Sequence, residues 1–311
     1  MSTPSAERAR KRSRWKRRFY NNRYLYLMAF PVLAYYVIFH YIPMAGTIIA
    51  FQDYVPIKGF LRSSFVGFKH FIDFFNGPYA WRVIRNTLLL NVYDIVFGFP
   101  LPILFALLIN ELRGKAFKKT VQTISYFPHF ISLVVMCGII TDFSRTIGVF
   151  NSIAALFGAE PTNLLTVKEY FRPIFISTNI WKQLGWSSII YLATLSGVDP
   201  TLYEAASMDG ANRFRKILHV TLPALVPVIA IQLILRLGNI LSQGFEKVIL
   251  LYNPLTYETA DVITSHVYRR GLEEMNYSYG AAVGLFNSVV NVIVLIAANT
   301  FSKRVVKQSL W

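Results

Sequence analysis

Six stretches of the chain are long and apolar enough to cross a lipid bilayer, which takes about 20 residues of helix. They run roughly from Tyr24 to Phe51, Val83 to Ile109, Val121 to Phe143, Ile174 to Ser196, Leu225 to Leu251 and Tyr277 to Phe301. Hydrocarbon offers the backbone no water, so every N–H and C=O in such a stretch has to be met inside the protein, as a helix meets them. The expected fold class is an all-α integral membrane protein with six transmembrane helices. Pro31, Pro43, Gly98, Pro100, Pro102 and Gly238 interrupt several stretches and predict bent or broken helices. The first stretch is too long for a removable signal peptide, lacks a small-residue cleavage pattern and follows a 23-residue basic arm, so it is expected to remain as a span. Composition agrees: 54% of the residues are hydrophobic and 15% charged, where a soluble domain carries about a quarter charged. Bulk disorder is excluded, and an ordinary soluble enzyme does not fit.

The formal net charge is +16, from 32 Lys and Arg against 16 Asp and Glu. That excess suits either a nucleic-acid surface or the inner side of a membrane protein, and its distribution decides between them. With the N-terminus inside, the internal segments are 1–23, 111–120, 197–224 and 302–311, which hold 19 of the basic residues. The external loops, 52–81, 144–173 and 252–276, hold eight. This bias follows the positive-inside rule and places both termini in the cytoplasm. The chain reads as a basic cytoplasmic arm (1–23), a six-span domain (24–301) and a cytoplasmic tail (302–311). Residues 8–18, RARKRSRWKRR, would neutralise phosphates in isolation. Directly before a span they read instead as an anchor to anionic lipid, with Trp15, Phe19 and Tyr20 suited to the headgroup region. No nucleic-acid partner is expected.

The single cysteine, Cys137, lies within ISLVVMCGII and is expected to be packed and inert. Eight charged residues fall inside or at the ends of spans: Arg82, Arg85, Asp94, Asp142, Lys182, Arg236, Glu246 and Lys247. Charge at bilayer depth is costly, so such groups face protein or water. Arg82, Arg85 and Asp142 lie near span ends, where they reach the interface. Asp94 and Arg236 lie deeper, open between lining a pathway and pairing with a neighbouring helix or subunit. Trp181, Trp186 and Tyr191 in the fourth stretch, with Asn239 and Gln243 in the fifth and Asn287 in the sixth, combine aromatic faces with amides. Rings stack on the C–H faces of sugars and amides bond hydroxyls. Taken singly, these residues fit an interfacial aromatic belt and helix-to-helix hydrogen bonds. As a set they allow a polar lumen.

The longest internal loop, within 197–224, reads GVDPTLYEAASMDGANRFRKILHVTLPA. Asp199 before Pro200 is a helix start, with an N-cap acceptor and Pro at the first helical position. Gly210 ends that helix, Asp209 and Arg213 stand at i,i+4 spacing where they can pair across the bend, and a second amphipathic helix follows. Ala205, Ala206 and Gly210 give the first helix a low profile suited to another protein's groove, with Glu204 offering a carboxylate.

This segment resembles the EAA motif of the integral-membrane subunits of binding-protein-dependent ABC importers: Glu-Ala-Ala, three residues, Gly, nine residues, an aliphatic residue, one more, then Leu-Pro. Glu204, Ala205, Ala206, Gly210, Val220, Leu222 and Pro223 occur at that spacing, with Val220 where Ile is usual. The stretches FPHFIS (127–132), NIWKQLGW (179–186) and YLATLSGVDPTLYEAASMDGA (191–211) resemble the maltose-type permease superfamily, within it most the group that imports alginate- or pectin-derived oligosaccharides. The resemblance implies a type I importer fold, a second homologous permease subunit, two ATP-binding subunits and an external solute-binding protein. It also implies an ATPase-coupling role for Glu204, Ala205, Ala206, Asp209 and Gly210, with Leu222 and Pro223 setting the turn into the fifth span. The external loop 252–276 corresponds in position to a segment that probes the binding protein.

No G-x-x-x-x-G-K-[ST], H-E-x-x-H or G-x-S-x-G occurs, and the five His residues show no metal-ligand spacing. The expectation is a non-enzymatic conduit in the bacterial cytoplasmic membrane, holding no cofactor, with ATP and Mg on the partner ATPase subunits. The competing class is an ion-coupled secondary transporter working through an acid such as Asp94.

Overall fold

A computed structural model describes residues 20–242 and 244–305. Most of the basic arm, Trp15, Phe19, Gln243 and the last residues of the tail lie outside the described residues. The chain divides into two compact units at Gly67/Phe68.

In the first unit, α1 (Arg23–Tyr36) continues through a π-turn (Val37–Tyr41), a short helix (Ile42–Met44) and a 3-10 segment (Ala45–Phe51). From Tyr24 to Met44 no side chain is buried, as suits a run that meets lipid or another subunit. Beyond it, β1 (Gln52–Asp53) and β2 (Ser64–Phe65) pair antiparallel, with Gln52 opposite Phe65.

In the second unit, the described residues form helices joined by turns and loops, with no strand. It opens with α2 (Lys69–Asn76). One membrane-length run follows: α3 (Ala80–Tyr93), a π-turn (Asp94–Gly98) and α4 (Pro100–Asn110). Next come α5 (Lys115–Tyr126), α6 (Leu133–Ser144) and α7 (Val149–Ala155). The long α8 (Lys168–Ser196) leads into the short α9 (Pro200–Met208). A helical turn (Arg213–Lys216) and a π-turn (Ile217–Thr221) then run into α10 (Leu222–Leu237). The chain ends through α11 (Phe245–Leu251), α12 (Ile263–Tyr268) and α13 (Tyr277–Val305).

Three expected spans differ from what forms. The stretch from Val121 to Phe143 is two helices, because the 3-10 turn Phe127–Phe130 carries Pro128 and Ser132 then caps α6 by accepting from the Val135 N–H. The stretch from Leu225 to Leu251 breaks over residues 238–244, where Gly238 and the left-handed Gly244 bracket the turn. Among the described residues, five runs are both long and apolar enough to cross: Arg23–Phe51, Ala80–Asn110, Leu133–Ala155, Arg213–Leu237 and Tyr277–Arg304. The fourth expected span, within α8, has 29 residues of helix, ample for a bilayer, yet is not among these apolar runs. Asn179, Lys182, Gln183 and Ser187 make it polar on the side that faces a cavity.

That polarity goes with a central position: α8 packs on α4, α5 and α10. A Cβ on Gly185 would lie 2.2 Å from the Ser125 carbonyl oxygen, so the close approach of α5 requires glycine there. One core cluster joins α6, α8 and α11 through Met136, Cys137, Phe171, Phe175, Val248 and Leu251. Another joins α4, α8 and α10 through Ala106, Tyr191, Leu195 and Leu225. Cys137 is buried, as expected.

Candidate functional site

The EAA residues sit on α9 and its flanks. The Asp199 carboxylate accepts the Thr201 N–H at 2.9 Å, and this bond to a backbone N–H holds its pKa below the usual carboxylate range. At the other end, Gly210 adopts φ +73°. The Ala211 N–H reaches the Ala206 carbonyl at 2.9 Å and the Gly210 N–H that of Ser207 at 3.1 Å, the paired bonds of a Schellman cap. One face of α9 is fastened to the helical run behind it: the Tyr203 hydroxyl lies 3.1 Å from Thr221 Oγ1, and Lys216 Nζ donates to Ser207 Oγ at 2.6 Å. Elsewhere α9 is open, with Leu202, Glu204, Ala205, Asp209 and Gly210 exposed, Ala206 half-buried and Met208 89% exposed.

Two local expectations change. No Asp209–Arg213 ion pair forms among the described residues, because the chain leaves the helix at Asp209 and turns left-handed at Gly210, which destroys i,i+4 geometry. Leu222 and Pro223 set no turn. They lie inside one helical run, Arg213–Leu237, just past the π-turn in which the Leu222 N–H reaches back to the Ile217 carbonyl.

A cavity of about 980 Å³ opens among α3, α4, α6, α8, α10 and α11. Trp186 and Tyr191 line it, as the sequence suggested; Trp181, Asn239 and Asn287 do not. The Trp186 ring stacks on His129 at 4.2 Å and 3°, which fixes its orientation. Asn239, just past the end of α10, is exposed and donates to the Leu235 carbonyl of that helix at 3.3 Å. Asn287 and Asn291 on α13 both donate to Ser242 Oγ, at 3.1 and 2.8 Å, and so hold the break over residues 238–244. They tie elements together.

Asp94 and Arg236 resolve both ways at once: they pair with each other, and both line the cavity. Arg236 donates through Nε and a terminal nitrogen to Asp94 Oδ2, while Asn179 donates to Oδ1 at 2.7 Å. Lys247 is 4% exposed. Its ammonium donates to the Phe175 carbonyl at 2.7 Å and Thr178 Oγ1 at 2.8 Å, and lies 4.5 Å from the Phe175 ring centroid. Lys182 and Glu246 complete the charged lining.

Sequence reasoning missed a second polar cluster. Asp261 is fully buried; its Oδ2 accepts from Arg82 at 3.1 Å and Arg269 at 2.7 Å, and its Oδ1 from Ser265 at 2.8 Å. Beside it, Asn86 donates to the Glu258 and Asp261 carbonyls, and Arg172 donates to Asn86 Oδ1 at 2.7 Å. The segment TYETADV is therefore fastened into the body, and loop 252–276 exposes Pro254, Leu255 and Glu258 near its start and the run from Leu272 to Asn276 at its end. Arg82, read as an interfacial side chain, is a partner of Asp261. Their separation by 179 residues left no local signal.

The family of binding-protein-dependent transport system inner membrane components matches residues 80–307. The polygalacturonan/rhamnogalacturonan transport system permease protein YteP of Bacillus subtilis (strain 168) is 44% identical over 303 residues, covering 97% of this chain and 94% of that protein. Protein LplB of the same organism is 43% identical over 298 residues, covering 96% and 94%. A chain in the crystal structure of a bacterial alginate ABC transporter, in complex with an alginate pentasaccharide-bound periplasmic protein, superposes with a TM-score of 0.88 at 44% identity over 94% of this chain and 99% of that one. The fold is that of a type I ABC importer permease. The chain belongs to the binding-protein-dependent transport system inner membrane components.

Proposed function

We propose that this chain is the transmembrane permease subunit of an ATP-driven ABC importer that moves an acidic oligosaccharide, of the alginate- or pectin-derived class, from an extracytoplasmic solute-binding protein into the cytoplasm. The observation that carries the reading is the likeness, at 44% identity over nearly the whole chain, to a permease for polygalacturonan and rhamnogalacturonan and to a chain of an alginate transporter. The 980 Å³ cavity fits within the usual size range of a ligand site, about 300–1,000 Å³. Its amides, its Trp186 ring and its charged groups supply what a sugar acid needs.

In this reading the chain pairs with a second homologous permease, and each lays its EAA helix into one of two ATP-binding subunits, which hold ATP and Mg. Both termini and loop 197–224 face the cytoplasm. Exposure of Glu204, Ala205 and Gly210 supports α9 as the coupling helix, because a docking element must present its face before the partner arrives. Its two caps and its bonds to Thr221 and Lys216 make it a rigid lever. ATP-driven closure of the partner subunits moves that lever, the spans rock outward, the sugar enters, and hydrolysis restores the inward state.

The ion-coupled alternative loses ground at Asp94. A proton or cation carrier has to release its partners in each cycle, and both oxygens of this carboxylate are already engaged by Arg236 and Asn179.

The test is ATP-dependent uptake by the assembled transporter carrying Glu204→Trp or Gly210→Trp. Loss of uptake, with the chain still in the membrane and its ATPase partners no longer co-purifying or no longer stimulated, is expected. Wild-type uptake in both variants would sink the coupling role. Sugar transport on a proton gradient by this chain alone would establish the alternative.

A further inference from the structure

Along α8, the residues facing the cavity include Phe175, Asn179, Lys182, Gln183 and Trp186, a spacing of three and four that gathers them on one helix face. Five charged side chains line the same space: Asp94, Lys182, Arg236, Glu246 and Lys247. Asp94 and Arg236 cancel each other as a pair. Glu246 is exposed. That leaves two ammonium groups, and neither has a carboxylate partner among the described residues. Lys247 is held by neutral oxygens only, and no ion pair is formed by Lys182.

An ammonium at membrane depth is costly even where the surroundings adapt. Asn179, Gln183, Gln232 and Ser187 in the same lining already supply hydrogen bonds for hydroxyl groups. Two lysines add nothing a neutral sugar requires. Set against the single carboxylate of Glu246, they leave the lining with one positive charge in excess, and in a low-dielectric space the attraction for an anion is stronger than in water.

Resting on the importer reading, we propose that Lys182 and Lys247 form a carboxylate-receiving subsite in the cavity, selecting uronate-bearing oligosaccharides over neutral ones at the permease itself. Lys247, pinned to α8 by the Phe175 carbonyl and Thr178, holds its amine at a fixed place in the lining. Lys182, half-buried and on the exposed side of the same helix face, supplies the mobile contact between Asn179 and Trp186. The ring of Trp186 lies one turn along to take the C–H face of the sugar.

The experiment uses the complete transporter in nanodiscs with no binding protein present, so that the binding protein's own selectivity does not enter. Trigalacturonate and its fully methyl-esterified form, which differ in charge, are titrated by calorimetry. Wild type binds the acid about tenfold more tightly than the ester, a difference of about 1.4 kcal/mol, and the preference shrinks as salt is raised. Lys182→Arg keeps the preference, Lys182→Gln reduces it to about threefold or less, and Lys182→Glu reverses it. Lys182 has few structural ties, so these variants fold. Equal affinity of wild type for the two sugars, no binding of either at millimolar concentration, or an undiminished preference in Lys182→Gln overturns the subsite. ATP-driven uptake by the same transporter in proteoliposomes supplied with its binding protein separates the two ideas: uptake with no carboxylate preference in the calorimetry removes the subsite and keeps the importer, whereas absence of uptake for both sugars counts against the importer.

Discussion

Asp94 ends α3 and opens a π-turn, Asn179 lies in α8 and Arg236 in the last turn of α10, so one carboxylate gathers three helices. A charge pair in such a place costs desolvation that its attraction offsets only while both partners are present. Asp94→Ala, which strands the Arg236 guanidinium, is therefore expected to cost roughly 3–5 kcal/mol in denaturant unfolding of the purified protein. The double variant Asp94→Asn with Arg236→Gln removes both charges and is expected to cost less than half as much. If the single and double variants unfold alike, the pair is not what joins the helices. His266 gives a second residue-scale expectation, outside the spans. It is buried, and its Nε2 lies 3.0 Å from the Tyr279 hydroxyl. Burial pushes its pKa down; Asp261 opposes that, while Arg269, Arg270 and Arg82 reinforce it. Because the unfolded chain binds this proton more readily than the folded one, the contribution is complete above the unfolded value of about 6.5 and is lost as pH falls from there to the folded value of about 4. His266→Gln should flatten the fall in thermal midpoint measured between about pH 7 and pH 5. An unchanged slope would assign acid sensitivity to another group.

At the scale of elements, proline explains where helices widen and glycine where one breaks. Three of the four π-turns among the described residues, Val37–Tyr41, Asp94–Gly98 and Ile217–Thr221, run within two residues into Pro43, Pro100 and Pro223. Proline has no N–H and crowds the carbonyl four residues back. A turn closed over five residues, as when the Phe99 N–H reaches the Asp94 carbonyl at 3.0 Å, satisfies the residue before the proline and shifts the crowded carbonyl. The helix survives, wider. The second half of the fifth stretch instead separates as α11, because Gly244 stands at φ +81° with its would-be Cβ 2.8 Å from Phe175 Cζ. Gly210 at φ +73° has open space around it. Alanine at Gly210 should then cost only the left-handed backbone, roughly 1–2 kcal/mol, while alanine at Gly244 adds the crowding of Phe175, about 1 kcal/mol or more. Equal losses in chemical unfolding would mean that Phe175 yields freely. Interruption was legible from Pro43, Gly98, Pro100 and Gly238, since it is local chemistry, whereas Pro31 and Pro102 sit within the unbroken α1 and α4. Whether a given proline widens a helix or ends it was not legible, because packing around it decides: Pro223 is carried inside a run, while Pro128 lies in a turn that breaks one.

For the whole molecule, apolar length carried the fold class, since a bilayer acts on each segment separately and the sequence displays each segment in full. The one expected span that falls short on apolarity, in α8, is the one whose neighbours relieve it of facing lipid, and its amides and lysine turn to the cavity. The charge contacts that bind the unit together, Asp94 with Arg236 and Asp261 with Arg82, join residues 142 and 179 positions apart, beyond anything spacing records. Orientation is likewise a property of the whole chain, argued from where its basic residues fall. The single cysteine makes it measurable. Cys137 is 3% exposed, so Cys137→Ala removes the native thiol from a packed site at the modest cost of a small volume change. On that background Met208→Cys places a thiol at a position 89% exposed on α9, and Leu255→Cys one at a position 68% exposed in loop 252–276. With both termini inside, a membrane-impermeant maleimide should label the thiol at 255 in intact cells and leave that at 208 untouched until the membrane is inverted. The reverse pattern would turn the chain over, put α9 beyond the reach of cytoplasmic ATPase subunits and remove the basis of the coupling mechanism. Labelling of both sites from one side would mean that an even number of crossings separates them, and that the interrupted stretch between residues 208 and 255 does not traverse the bilayer.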